Sequence, residues 1–260
     1  MEIISLGLGV QSTALYLMSC KGDLPRADYA IFADPGAEHK NTYSTLVWLK
    51  DWTAKNDGIP IIVNNDKNLL KDILKGENSS GGRFASIPAF GDSGGLLRRQ
   101  CTMDYKIKPI IRSARKLHGL TKSKHMKPTE MWIGISIDEA SRMKDSRFYN
   151  VKYKYPLIDK YLSRTDCAHY FKDHGYPVPG KSSCVFCPYH SDSFWNEIKE
   201  ENGSAWNIAK RVDYIIRDSS KKGIEDKIYL HRSLKPIDQV NFTKNQLDMF
   251  QNECEGYCGL

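Results

Sequence analysis

The sequence has no apolar run approaching the roughly 18 residues of a membrane span, no internal repeat and no low-complexity tract. With 19 glycines and 11 prolines in 260 residues it is neither collagen-like nor a Pro/Gly-rich disordered chain, and seven cysteines are too few for a disulfide scaffold. No Gly-Lys-Ser/Thr step follows the Gly7–Ser12 turn, so that turn is not a Walker-type phosphate loop. Met1-Glu2 runs directly into a short apolar stretch broken by Gly7 and Gly9, so no secretory leader is expected. These absences predict a soluble cytoplasmic protein with reduced thiols and no membrane partner. In that setting clustered cysteines bind metal or react rather than cross-link.

What is present begins with charge. The net +7 is unevenly spread: Arg98 to Lys127 holds ten basic residues and one acidic residue, Asp104, while the rest of the chain is slightly acidic. Such a stretch suits a polyanion, nucleic acid or a phosphate-rich small molecule, and it also fits a solvated helix face with a basic loop.

The first 65 residues alternate strand and helix signals. Ile3–Leu6, Tyr29–Phe32 and Ile59–Val63 read as buried strands, with helices over Ser12–Cys20 and Thr42–Asn56 between them. This predicts an α/β fold, a doubly wound, mostly parallel, Rossmann-like sheet, with ligands at the carboxyl ends of its strands. Asn78–Gly95 reads as a loop, Cys101–Leu117 as a helix started or kinked at Pro109, and Met131–Ile135 as a fourth strand. The expected division is a nucleotide-binding α/β domain over 1–160, and a helical, Cys-rich C-terminal region over 161–260.

Four polar motifs fall at strand ends or helix starts. Ser5, Gly7, Gly9, Gln11, Ser12 and Thr13 make a glycine turn between strand and helix, which can cradle an anion on free N–H groups or can simply connect the two elements. Asp34, Gly36 and Glu38 can hold Mg²⁺ beside phosphates or form an Asp-Pro-Gly turn with a helix-capping Glu. Arg99, Cys101, Thr102 and Lys106 place a thiol among cations, which favours the thiolate, although a small buried hydrophobe fits there too. Gly134, Asp138, Glu139 and Arg142 leave the fourth strand as a polar loop.

In this order the motifs resemble the PP-loop, or adenine nucleotide alpha hydrolase-like, superfamily, and within it the phosphoadenosine phosphosulfate (PAPS) reductase-like family. The matching residues are Ser5/Gly9/Gln11, Asp34/Gly36/Thr42/Tyr43, Arg99/Cys101/Thr102/Lys106/Pro109, Gly134/Glu139/Arg142 and Tyr155-Pro156-Leu157-Ile158-Asp159. The resemblance spans roughly residues 3 to 190. It implies an adenine nucleotide alpha hydrolase-type sheet and an adenine nucleotide, ATP or PAPS/APS, bound with Mg²⁺ by the residues of these motifs, with Asp34 contributing to catalysis.

Cys184-x-x-Cys187-Pro188 is a local metal signal, because two thiolates at that spacing reach one centre from a tight turn. The remaining ligands come from Cys101, Cys167, Cys254 and Cys258, while Cys20 reads as core. Two groupings are open: an iron–sulfur cluster on Cys101, Cys184, Cys187 and either Cys167 or an open position, or Zn²⁺ on Cys184, Cys187, Cys254 and Cys258. The resemblance favours a 4Fe-4S cluster. It differs from the cluster-binding assimilatory reductases in having Gln100 before Cys101 where they have a second Cys.

The terminus, with Cys254 and Cys258, is similar to the Glu-Cys-Gly-Leu tail of PAPS reductases whose Cys attacks the sulfonate, except that Tyr257 replaces the Glu. Two enzymatic readings follow. One is an ATP-dependent sulfurtransferase that adenylates an acceptor, tRNA or DNA, and thiolates it with sulfur from a donor. The other is a PAPS/APS reductase with Cys258 as nucleophile and a thioredoxin-like reductant, which Gln11 favours because ATP-cleaving relatives usually carry Asp there. A nucleotide- or nucleic-acid-binding module with structural zinc is the non-enzymatic alternative.

Overall fold

The computed structural model describes residues 1–77, 87–120, 125–219 and 224–242. The chain runs through β1 (Glu2–Ser5), α1 (Val10–Lys21), β2 (Tyr29–Ala33), α2 (Lys40–Lys55), β3 (Ile61–Asn64) and α3 (Leu69–Lys75). A hairpin of β4 (Phe90–Gly91) and β5 (Gly95–Leu96) precedes a π-helical segment, Thr102–Ile107, that continues into α4 (Lys108–Leu117). There follow β6 (Thr129–Ile133), a 3₁₀ segment Ile137–Arg142, β7 (Val151–Lys154), α5 (Pro156–Asp159), α6 (Arg164–Asp173), α7 (Asp192–Glu200), α8 (Ser204–Ile216) and β8 (Ile228–Tyr229).

Five strands pair in the order β3-β2-β1-β6-β7, every pair parallel. The apolar runs of these strands are explained by burial on both faces. Ile4, Phe32 and Trp132 point into a cluster with α1, α2 and α6, whereas Ile3, Ile31, Met131 and Ile133 point into a second cluster with α4. Helix α1 is buried from Val10 to Ser19 because it lies between the sheet and α6, so it has little polar face. A third cluster, around Trp195, Trp206 and Phe186, gathers α3, α7, α8 and the small β5-β4-β8 sheet. These clusters run across residue 160: Cys167 and Phe171 belong to the first, and Leu69 and Ile73 to the third.

The Rossmann-like, five-stranded parallel sheet agrees with the sequence pattern. Helix α3 and strand β7 are not legible in it. Of the expected loop Asn78–Gly95, residues 78–86 lie outside the described residues, and Phe90–Gly91 pairs with Tyr229 and Ile228. The helix expected over Cys101–Leu117 changes type at Pro109, which lacks the N–H that an α-helical register needs from it, and the turn before it is π-helical. Among the described residues no helix is long and apolar enough to cross a membrane.

Trp195 is fully buried at the centre of the third cluster. Trp195→Ala is expected to cost about 3–5 kcal/mol, as large aromatic deletions from a core do, measured by urea denaturation. A loss below about 1 kcal/mol would show that this cluster is not packed as a core.

Candidate functional site

In the order β3-β2-β1-β6-β7 the chain reverses direction of travel between β1 and β6, the switch point at which open α/β sheets bind ligands. A cleft lies there, about 560 Å³ including its open mouth, walled by the β1–α1 loop with Gly7, Gly9, Gln11 and Ser12, by Gly134, and by Arg164, Lys181 and Ser182. Gly9 caps α1 without a side-chain hydrogen bond and the first turn carries no acidic residue, so the helix offers N–H groups and its positive dipole end to an anion. The loop is held stiffly. Gly7 N–H donates to Ser12 Oγ (3.1 Å), Ser182 Oγ donates to Gly7 O (2.6 Å), and the buried Leu8 takes a left-handed φ of 62°, a strained conformation for a residue with a side chain. Gly134 has to be glycine, since a Cβ there would lie 2.7 Å from Ser12 Cα.

Gln11 is buried in a polar chain behind the cleft. Its Nε2 donates to Glu139 Oε2 (2.7 Å) and Ser136 Oγ (3.2 Å), Arg164 Nη1 donates to its Oε1 (3.2 Å), and Arg142 Nη1 donates to Glu139 Oε1 (2.6 Å). An amide is required in that position, because a carboxylate would face Glu139 and lose both donated bonds. Ser5 lines the cleft, whereas Thr13 is fully buried and does not.

Asp34 Oδ1 accepts from Gly36 N–H (2.7 Å) and from Tyr43 Oη (2.9 Å), which accounts for the Asp-Pro-Gly turn and for Tyr43. Burial first, and Asp34 second, push the Tyr43 phenol up, so it remains a donor. Gly36 has φ 77° and packs on Asn68. Glu38, expected as a Mg²⁺ ligand or helix cap, is instead buried at 4% exposure and paired with Lys106 Nζ at 2.7 Å, itself 8% exposed. Glu38 also bridges to Cys184 through the backbone and accepts from its Sγ at 3.8 Å. Lys106, expected to contact nucleotide, therefore ties the Arg98–Lys127 segment to the β2–α2 loop.

Of the predicted metal ligands, Cys101 and Cys184 pack against the third cluster, and Cys184 and Cys187 share one turn, closed by Cys187 N–H to Cys184 O at 3.0 Å. His190, fully buried, holds that turn through a contact between Nε2 and Cys184 O at 2.8 Å. The structure sets Cys167 apart: it is fully buried among α1 and α6 in the first cluster, and burial pushes its thiol up to about 12. It thus packs in a different cluster from Cys101 and Cys184. Cys254 and Cys258 lie outside the described residues.

A second cleft, about 1010 Å³ including its mouth, lies between the start of the π-helical segment and the stretch before β7. It is lined by Arg99, Gln100, Lys144, Arg147, Phe148 and Tyr153, among others. Cations and aromatic rings there come from two segments roughly 45 residues apart in the chain, which is why only Arg99 stands out in the sequence. Arg164 likewise escapes a sequence reading as a pocket residue, since it carries no local motif. Lys181 and Ser182 are noticed there only as neighbours of the cysteine pair, although Gly175-x-x-x-x-Gly180-Lys181-Ser182 has phosphate-loop spacing.

No family model matches the chain, and no curated protein matches it.

The buried Lys106–Glu38 pair predicts its own energetics. Lys106→Met leaves Glu38 an uncompensated buried charge and is expected to cost about 3–5 kcal/mol in urea denaturation, with much of that recovered in Lys106→Met/Glu38→Gln. Equal losses in the single and double variants would refute the coupling. Cys167→Ala is expected to leave bound metal unchanged and to lower stability by only about 1–2 kcal/mol. Loss of metal would return Cys167 to the ligand set.

Proposed function

We propose that this chain is a PP-loop enzyme of the PAPS reductase-like type, its sheet the adenine nucleotide alpha hydrolase variant of the Rossmann-like fold, and that it transfers sulfur to a nucleic-acid acceptor activated by ATP. The observation that carries this reading is the cleft at the β1/β6 switch point, where the uncapped α1 N-terminus meets Lys181 and Arg164. An anion cradle with two flanking cations stabilises charge that develops on a departing phosphate. In the first step an acceptor oxygen attacks the α-phosphorus of ATP, the bond to the β-phosphate breaks, and pyrophosphate leaves; Mg²⁺, when bound, would neutralise the charge on the departing group. Asp34, at the carboxyl end of the neighbouring β2, is the carboxylate that would meet the metal, since Glu38 is already neutralised by Lys106. In the second step the outer sulfur of a persulfide, carried on Cys258 or Cys254 and supplied by a donor protein, attacks the acceptor carbon and AMP departs; a thioredoxin-like dithiol then attacks that cysteine's sulfur, breaks the S–S bond to free the thiolated acceptor, and closes to its own disulfide as the cysteine thiol is restored.

Cys101 and Cys184 pack against the third cluster and Cys187 shares the Cys184 turn, so these three are the thiols that would hold an iron–sulfur cluster, with the fourth position outside this set. Such a cluster would supply electron transfer or sulfide chemistry beside the pocket. Arg99, Lys144 and Arg147 in the second cleft, with Phe148 and Tyr153, support a nucleic-acid acceptor, because phosphates are met by cations and unstacked bases by rings.

Gln11 favours a second reading, PAPS/APS reduction, in which Cys258 attacks the sulfonate sulfur, AMP or phosphoadenosine phosphate departs, and a thioredoxin-like dithiol releases sulfite. Its amide, fixed by Glu139 and Arg164, adds no negative charge where a sulfate has to approach.

The two readings separate in one preparation. Anaerobically purified protein is expected to be brown, with absorbance near 400 nm, and to release pyrophosphate from ATP only with tRNA or DNA. Sulfite from phosphosulfate and thioredoxin, with no pyrophosphate, would replace the first reading by the second, and neither product would remove both. Lys181→Ala and Arg164→Ala are each expected to weaken nucleotide binding roughly 10- to 100-fold, the worth of one charged hydrogen bond, by isothermal titration. Lys144→Ala/Arg147→Ala is expected to weaken nucleic-acid binding and to make its salt dependence shallower by about one unit for each phosphate no longer neutralised.

A further inference from the structure

His39 is the N-cap of α2, and its ring is completely buried. Among the described residues its Nε2 has no hydrogen-bond partner. A buried imidazole nitrogen in that condition calls for a ligand or a reason. Glu197, on α7, and Glu201, at its C-cap, lie one turn apart, and one carboxylate oxygen from each lies with a ring nitrogen of His39 in a group whose members are all within 4.8 Å of one another. The Nε2 to Glu201 Oε2 distance, 3.9 Å, is too long for a hydrogen bond. It is close to the roughly 3.3 Å that separates two ligand atoms around a tetrahedral zinc ion with bonds near 2.0 Å.

The geometry points to a divalent metal site of the zinc class on His39, Glu197 and Glu201, separate from the thiols, that clips the start of α2 to α7. Imidazole nitrogen and carboxylate oxygen are both zinc donors, and three such ligands leave a fourth position for water. Lys40 Nζ takes Glu201 Oε1 at 2.7 Å and leaves Oε2 facing the ring. Burial lowers the His39 pKa in spite of Glu201 and Glu197, so the ring is neutral and has a lone pair to give. On binding, the proton belongs on Nδ1. There it displaces the Asn41 N–H contact to that atom, which at 3.4 Å is already at the long limit. The two glutamates are exposed and border a groove with Ser193, Asn196 and Glu200, so an ion has a path in and the carboxylates have room to close on it. The metal would sit one residue from Glu38 and beside Phe194, which packs edge-on against the His39 ring.

The test uses the full chain, stripped of metal, loaded with Zn²⁺ and freed of excess. The parent is expected to retain one zinc per chain more than Glu197→Gln/Glu201→Gln, and to gain a zinc-dependent rise in melting temperature that the double variant lacks. Both metal-free forms are expected to melt together, since the substituted side chains are exposed. Glu197→Gln alone repeats the measurement with one ligand removed. The same difference of one zinc is expected in a Cys184→Ser/Cys187→Ser background. Equal zinc content in parent and glutamine variants, or a difference that vanishes in the serine background, would overturn the assignment.

Discussion

The buried ion pair between Glu38 and Lys106 holds the candidate site together. Glu38 leaves the sheet after β2, Lys106 belongs to the π-helical segment, and Cys184 reaches the same carboxylate from the C-terminal part of the chain. Two backbone hydrogen bonds, His39 N–H to Ser183 O and Val185 N–H to Ala37 O, form the Glu38–Cys184 bridge and reinforce the meeting. Two charges withdrawn from water this far are stable only as a pair, so the three segments have to arrive together. A surface ion pair would tolerate one segment moving away; this one does not.

That junction also sets the cleft. Ser182, two residues before Cys184, donates to the carbonyl of Gly7 and so braces the β1–α1 loop from the side opposite the sheet. On the sheet side Gly134 permits β6 to press against the first turn of α1. Between these supports Leu8 is kept in a left-handed conformation by a side chain locked in the core. The free N–H groups of α1 are therefore presented by a loop that does not need to reorganise when an anion arrives, which is what electrostatic preorganisation requires.

The parallel sheet is legible in the sequence because a strand buried on both faces leaves a continuous apolar run, as at Ile3-Ile4 and Ala30-Ile31-Phe32. The glycine loop, Asp34, Cys101, Gln11 and the cysteine pair are legible because each sits at the end of such a run or repeats a known spacing. Strand β7 is not, since Val151–Lys154 alternates with lysines at the sheet edge and carries half the apolar signal. Arg164 is hidden for a different reason: its role depends on α6 folding back over α1, and it approaches Gln11 from 153 residues away. Lys106 is visible as a cation but its partner, Glu38, is not, because spacing shows neither burial nor what a charge must neutralise. Cys167 shows the converse. A thiol counted among ligands by elimination is packed as a small hydrophobe.

The two clefts share a beam. Ile133, Gly134 and Ile135, at the end of β6, wall the first, and the chain then passes through Ile137–Arg142 to Lys144, Asp145 and Arg147 of the second. Along the way Glu139 binds Gln11 and Arg142 binds Glu139, so the connecting segment is fastened to the first cleft by two short, charged or amide hydrogen bonds. Gln11 and Arg164 of the first cleft are thereby tied to the segment that leads to the cations of the second. Such coupling needs no hinge: it follows from a polar chain in which each member has a buried partner and little freedom to exchange it. Of the charge clustered between Arg98 and Lys127, Arg99 lines the second cleft, while Lys106, Lys108 and Lys116 pair with Glu38, Asp104 and Asp66.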